Sequence, residues 1–151
     1  MNYNDRKDNP KSFRALTGLS HIQFSHLLPY FEAAHDDYLS EYKLNGKRRS
    51  NRRRFCIYRN SPLPTVPEHL FFILVYLKNN HLQECHAACF GMDQKHCKTF
   101  VHCLSHILRL SLETMGLAPA QTGKELSAHS MLLPIIDYFK RTNEIYWEAR
   151  A

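Results

Sequence analysis

Gln94, Lys95, Lys98, Thr99 and His102 recur at helical spacing, on the face opposite Cys97, Phe100 and Leu104. Long polar side chains on one helix face can donate hydrogen bonds to nucleic-acid base edges or to phosphates. An ordinary solvated face looks the same, so the reading needs a basic partner element. That element lies upstream. Lys43, Lys47, Arg48, Arg49, Arg52, Arg53, Arg54 and Arg59 follow one another with no acidic residue between Glu41 and Glu68. The formal charge of +6 over 151 residues is therefore concentrated in one segment. Two readings of it compete. It is a solvated loop, or it is an arm that lies along phosphates or enters the minor groove, where released counterions drive affinity.

Other constellations are weaker. Cys85 and Cys89 stand four apart, as do His102 and His106, with His96 and Cys97 between them. Zinc needs four converging ligands, whereas Cys97 and one of the two earlier cysteines already fill core positions as small apolar groups. No metal or other cofactor is expected. The cysteine count of five is odd, and four of the five fall inside expected helices, which reads as reduced thiols rather than disulfides. A cysteine–histidine nucleophile lacks an oxyanion-forming loop and a third orienting group. Tyr30, Tyr38, Tyr42, Phe71, Phe72 and Tyr76 could stack on bases, but their helical spacing marks them as core.

The elements that must hold the polar face are two helices joined at Gly91, spanning Leu82 to Leu112. If Gly91 supplies a positive-φ turn, the position four before it must be small, and it is Ala87. Phe90, Met92, Cys97, Phe100 and Leu104 then point inward, and Asp93 caps the second helix. His86 occupies a core position where an aliphatic residue would be usual. The second helix should run to Met115, with Gly116 as its stop. Ahead of the pair, Pro67 suits a first helical position, and the apolar run from Glu68 to Asn79 should be the buried centre of the domain.

Residues Met1 to Lys11 read as loose, and Ser12 to Thr17 as a short helix ending at Gly18. Ser20 with Gln23 opens a longer helix whose apolar face is Phe24, Leu27, Leu28, Phe31, Ala34, Tyr38 and Tyr42. Its outer face carries Glu32, Asp36, Asp37 and Glu41. Pro29 predicts a kink, or two helices meeting at Leu28. Phe55 to Tyr58 is either a short strand or a segment tucked onto the helices. In the tail, Thr122 with Glu125 could cap another helix and MLLPIIDYF could be a strand.

These elements make an all-α chain: an N-terminal helical arm over 1–44, a basic linker over 45–66, a three-helix helix-turn-helix domain over 67–116 and an irregular tail over 117–151. No apolar run approaches the ~20 residues of a membrane span, and the N-terminus lacks a signal-peptide core. A cytoplasmic chain with no membrane partner is expected.

The stretches FRALTGLSHIQFSHLLPYFEAAHDDYLSEYKLNGK, LPTVPEHLFFILVYLKNNHLQECHAACFGMDQKHC and LSHILRLSLETMGLAPA carry a resemblance covering Phe13 to Ala120. In order and spacing the chain resembles the N-terminal DNA-binding region of bacterial insertion-sequence transposases of the DDE superfamily. The resemblance implies recognition of the element's terminal repeats in double-stranded DNA. Taken with the outward helix face and the basic segment, this puts Gln94, Lys95, Lys98, Thr99 and His102 at the bases and phosphates, and Lys47, Arg48, Arg49, Arg52, Arg53 and Arg54 along the backbone, as expectations. In that family a further domain cuts DNA with three metal-binding carboxylates.

The chain departs from the family at several points. Asp93 stands where serine is typical, and His86 where an aliphatic residue is typical. Ile135-Ile136-Asp137 could match the first catalytic strand and aspartate, yet Tyr138-Phe139-Lys140 does not continue that pattern, and nothing after it supplies the family's other two catalytic carboxylates. Two-metal chemistry needs clustered acids. The expectation is a truncated transposase without nuclease activity and without a small-molecule substrate. The alternatives are an inhibitory fragment that pairs with itself or with a full-length transposase, and a non-functional remnant.

Overall fold

The structure, a computed structural model, describes residues 1–50 and 55–117. Arg52, Arg53, Arg54, Asp137 and the tail segments named above lie outside the described residues. The described part is all-α. Its helices are α1 (Asn4–Lys7), α2 (Pro10–Thr17), α3 (His21–Glu41), α4 (Val66–Asn79), α5 (Gln83–Cys89) and α6 (Gln94–Thr114).

Local chemistry sets most boundaries. The Asn9 side chain accepts from the Ser12 amide ahead of Pro10, and Gly18 at φ 77° ends α2. Ser20 and Gln23 form the reciprocal capping box of α3. Thr65 and Glu68 form a second box, which sets the start of α4 at Val66 rather than Pro67. Asn80, left-handed at φ 48°, ends that helix. Helices α5 and α6 close alike. The Gly91 amide donates to Ala88 O and Met92 to Ala87 O, while Gly116 donates to Glu113 O and Leu117 to Leu112 O. This paired pattern gives partners to carbonyls of the last turn and needs a positive φ, which Gly91 (66°) and Gly116 (73°) supply.

Helix α4 is the buried centre, with every residue from Glu68 to Val75 inside. Helices α3 and α6, 21 residues each, cover it. They run antiparallel. Tyr30 lines one groove with Leu110 and Thr114, Tyr38 meets His106 ring to ring at 5.1 Å, and Asn45 lies with Lys98 and Thr99. One hydrophobic cluster contains Phe31 and Leu39 of α3, Leu63 of the connecting segment, and the inner faces of α4 and α6. Helix α3 is thus packed along its length rather than projecting as an arm.

Four local expectations change. Residues 1–11 are not loose: Tyr3 stacks on Phe24 at 5.3 Å and meets Phe13 and Phe71 edge-on, so one aromatic pins a polar run. Helix α3 passes through Pro29 without a break, held on both sides of it by buried Leu27 and Phe31. Its buried stripe is Phe24, Leu27, Phe31, His35 and Leu39, with Leu28, Ala34 and Tyr38 only partly covered. Near-3.6 periodicity brings His35 and Leu39 inward where a three–four pattern continued to Tyr42.

The fourth change is in the basic segment. Between α3 and Ser50 the chain makes a tight turn: Gly46 donates to Lys43 O, Lys43 to Lys47 O, and Tyr42 and Arg48 pair in an isolated antiparallel bridge. Arg49 turns back. Its Nε donates to Leu39 O at 2.7 Å and Tyr42 O at 3.1 Å, capping the end of α3, while its guanidinium lies 5.5 Å over the Phe55 ring. Phe55 tucks against His35 at 5.8 Å, whereas Tyr58 stays exposed.

Candidate nucleic-acid interface

The first half of α6 starts at Asp93, whose carboxylate accepts from the His96 amide at 2.8 Å and from His96 Nδ1 at 2.6 Å. The His96 amide, then its ring, hold the Asp93 carboxyl below its ordinary value. The helix therefore opens with a charged cap in place. Beyond it Gln94, Lys95, Lys98 and His102 are exposed, and Cys97, Phe100 and Leu104 are buried as their spacing requires.

Thr99 differs from the other four. It is half-buried, and its hydroxyl donates to Lys95 O at 3.0 Å, one turn back. Its donor is engaged within the helix, which leaves it the weakest candidate of the set.

The turn after α3 sits beside this face. Leu44, Asn45 and Gly46 line one side of a shallow groove, Lys98, Thr99 and His102 the other, and Tyr38 and Cys103 its floor. The antiparallel packing of α3 on α6 puts the C-terminal end of one next to the N-terminal half of the other. Lys43, Lys47 and Arg48, all exposed, thereby join Lys95 and Lys98 at the same end of the molecule, and none of the five is in an ion pair among the described residues. Arg49 does not join them, because its guanidinium is committed to the end of α3. Arg52, Arg53 and Arg54 lie outside the described residues.

Beneath the α5–α6 turn, His86 is fully buried in a cage of Phe72 (4.5 Å), Phe90 (4.9 Å) and Tyr76 (5.1 Å). Burial pushes it down to about 4, only partly offset by the Phe72 carbonyl, which lies outside hydrogen-bonding geometry. It serves as a neutral aromatic filler.

Among the cysteines, Cys97 and Cys103 are buried, and burial pushes the Cys103 thiol up to about 12, a value that keeps it protonated and inert. Cys85 and Cys89 are both exposed, so neither fills the core position expected of one of them. The core role falls to His86 and Ala87, which lie between the two cysteines in sequence and face the other way round the helix. Among the described residues no three His, Cys, Asp or Glu side chains gather closely enough to hold a metal ion, and no helix is long and apolar enough to cross a membrane.

Sequence reasoning missed three features of this region. The Asp93–His96 pair is signalled by acceptor and imidazole three apart at a helix start. The turn at Gly46 is signalled by Asn-Gly, a common turn dipeptide. The inward course of Arg49 has no signal, since it looks like the arginines around it. No protein-family model, no curated protein and no solved structure matches this chain.

Proposed function

We propose that the chain binds duplex DNA through a helix-turn-helix formed by α5 and α6, as the terminal-repeat recognition module of a transposase, and supplies no nuclease chemistry itself. One observation carries the reading: the shared groove that sets the basic turn Lys43–Arg48 beside the exposed first half of α6. A major groove of ~12 Å admits a helix, and the N-terminal residues of a recognition helix reach base edges while neighbouring elements grip phosphates. In this arrangement Gln94, Lys95, Lys98 and His102 face the bases and nearest phosphates. Lys47 and Arg48 take the flanking backbone. Close approach of α5 to α6 is supported by Ala87, 2% exposed, and by the glycine turn. The resemblance to transposase N-terminal regions gives the class of DNA. The test is the salt dependence of binding to a labelled duplex. Replacing Lys47 and Arg48 by alanine should reduce the slope of log affinity against log salt by about 2, and an unchanged slope would remove the turn from the interface.

A second reading is favoured by a separate observation. An apolar groove between α3 and the later half of α6, lined by Pro29, Tyr30, Ala33 and Leu110, is open at the surface. Pairing with a second copy through α3 would cover it. A molar mass that rises with protein concentration, and that Tyr30→Glu abolishes, would support pairing; a constant monomer mass would exclude it.

A further inference from the structure

Lys95 and Lys98 can only donate hydrogen bonds, and the Thr99 hydroxyl already donates to its own helix. Duplex DNA also presents donors in the major groove, the amino groups of cytosine N4 and adenine N6. The acceptors beside them on this face, the Gln94 amide oxygen and an imidazole nitrogen of His102, have no side-chain partner that fixes their orientation among the described residues.

His96 is differently placed. Its Nδ1 is 2.6 Å from Asp93 Oδ2, and a carboxylate accepts only, so the proton sits on Nδ1. In the neutral ring Nε2 is then a bare acceptor, on the ring edge away from Asp93. It has no hydrogen-bond partner among the described residues, and the side chain is 69% exposed. The same Asp93 carboxylate also takes the His96 amide at 2.8 Å, so backbone and ring are fixed by one group in the first turn of α6.

We infer that His96, oriented by Asp93, accepts a hydrogen bond from a base amino group in the major groove and sets the preference for cytosine or adenine at one position of the site. This deepens the duplex-binding reading and rests on it. Asp93 is a positioning residue here: its cap stabilises α6, and its second oxygen fixes which imidazole nitrogen faces outward.

The test uses the full chain and a pool of duplexes with a randomised core, at pH 8. The enriched duplex is then scanned by single base-pair changes. The wild-type chain should lose roughly tenfold in affinity when the one base pair bearing the read amino group is changed, and which change restores binding separates cytosine from adenine. His96→Ala and Asp93→Ser should flatten that position to roughly twofold or less while leaving the rest of the profile, whereas Asp93→Asn, which keeps an acceptor for Nδ1–H, should retain it. If far-UV helicity shows His96→Ala to be unfolded, His96→Lys, which removes the acceptor and keeps a long polar side chain, takes its place. Enrichment of no sequence by the wild-type chain would overturn the duplex-recognition reading and this inference together. Enrichment with an identical position profile in the variants would overturn this inference alone.

Discussion

The rings of His35 and His69 meet inside the protein, with His35 Nε2 2.9 Å from His69 Nδ1. Their protons are fixed by what lies beyond. His69 Nε2 is 3.1 Å from the Leu63 carbonyl and must donate to it, so its Nδ1 accepts and His35 Nε2 donates. His35 Nδ1 is left as a bare lone pair with no hydrogen-bond partner; Asp36, at 3.7 Å and exposed, is too far for a hydrogen bond. The wire ties α3 to α4 and to the Leu63 segment, and His69 must stay neutral to keep it, because its Nδ1 is the acceptor.

Acid should therefore unfold this protein early. Burial lowers both histidines, His69 to about 3, with His35 adding to the effect on His69. The unfolded chain binds protons at about 6.5 and the folded one does not, so stability is full above that pH and falls as pH drops toward the folded value. By linkage His69 alone should remove about 2 kcal/mol between pH 7.5 and pH 5. Urea unfolding at those two pH values measures it. A midpoint that does not move would mean the dyad is solvated.

His86 holds a core position with no hydrogen bond for either ring nitrogen, a buried polar group that the Phe72 carbonyl compensates only in part. His86→Leu should stabilise the fold by about 1 kcal/mol at neutral pH, raising Tm by roughly 2–4 °C. The gain should grow below pH 6.5, where the unfolded wild-type chain takes up a proton that the buried ring resists. A lower Tm at both pH values would show that the aromatic cage needs an imidazole.

Arg49 and Arg48 are neighbours in sequence with opposite expected effects. Arg49→Ala removes the cap on the end of α3 and the Phe55 contact, and should lower stability by about 1–2 kcal/mol while leaving the salt slope of duplex binding unchanged. Arg48→Ala should lower that slope by about 1 at unchanged Tm. Thermal melts and anisotropy titrations on both variants separate the roles, and the reverse pattern would place Arg49 at the DNA.

Gly91 has φ 66°, and a Cβ there would meet nothing within 4 Å. Its replacement is therefore a pure backbone test. Gly91→Ala should lower stability by about 1 kcal/mol, and Gly91→Asn by less, since asparagine tolerates the left-handed region. Equal losses in the two variants, read from urea midpoints, would point to a role for the glycine other than its φ.

Much of this was legible because its signals are local. Ser20 with Gln23, Asp93 and the two glycine stops each declare a helix end within a few residues, and strict apolar spacing names Cys97, Phe100 and Leu104 as core. The rest depends on partners distant in sequence. Nothing local marks His35 and His69 as a pair, because each supplies the other's hydrogen bond across 34 positions. Arg49 is indistinguishable from Arg48 until the end of α3 claims it. Tyr3 looks like one aromatic in a polar run until Phe24 and Phe71 receive it. The shared groove was out of reach for the same reason: the turn and α6 are some fifty residues apart, and the antiparallel packing of α3 on α6 brings them together.

The central claim is sequence-specific duplex recognition by the first half of α6 with help from the basic turn. Its most direct measurement is binding of the full chain to a labelled duplex carrying a transposon terminal repeat, the site class proposed for it, beside a scrambled duplex of equal length, each across a salt series. Tighter binding to the repeat that persists at moderate salt is the predicted result. Equal binding to both duplexes, vanishing as salt rises, would contradict it and leave only nonspecific attraction between the basic residues and DNA phosphates.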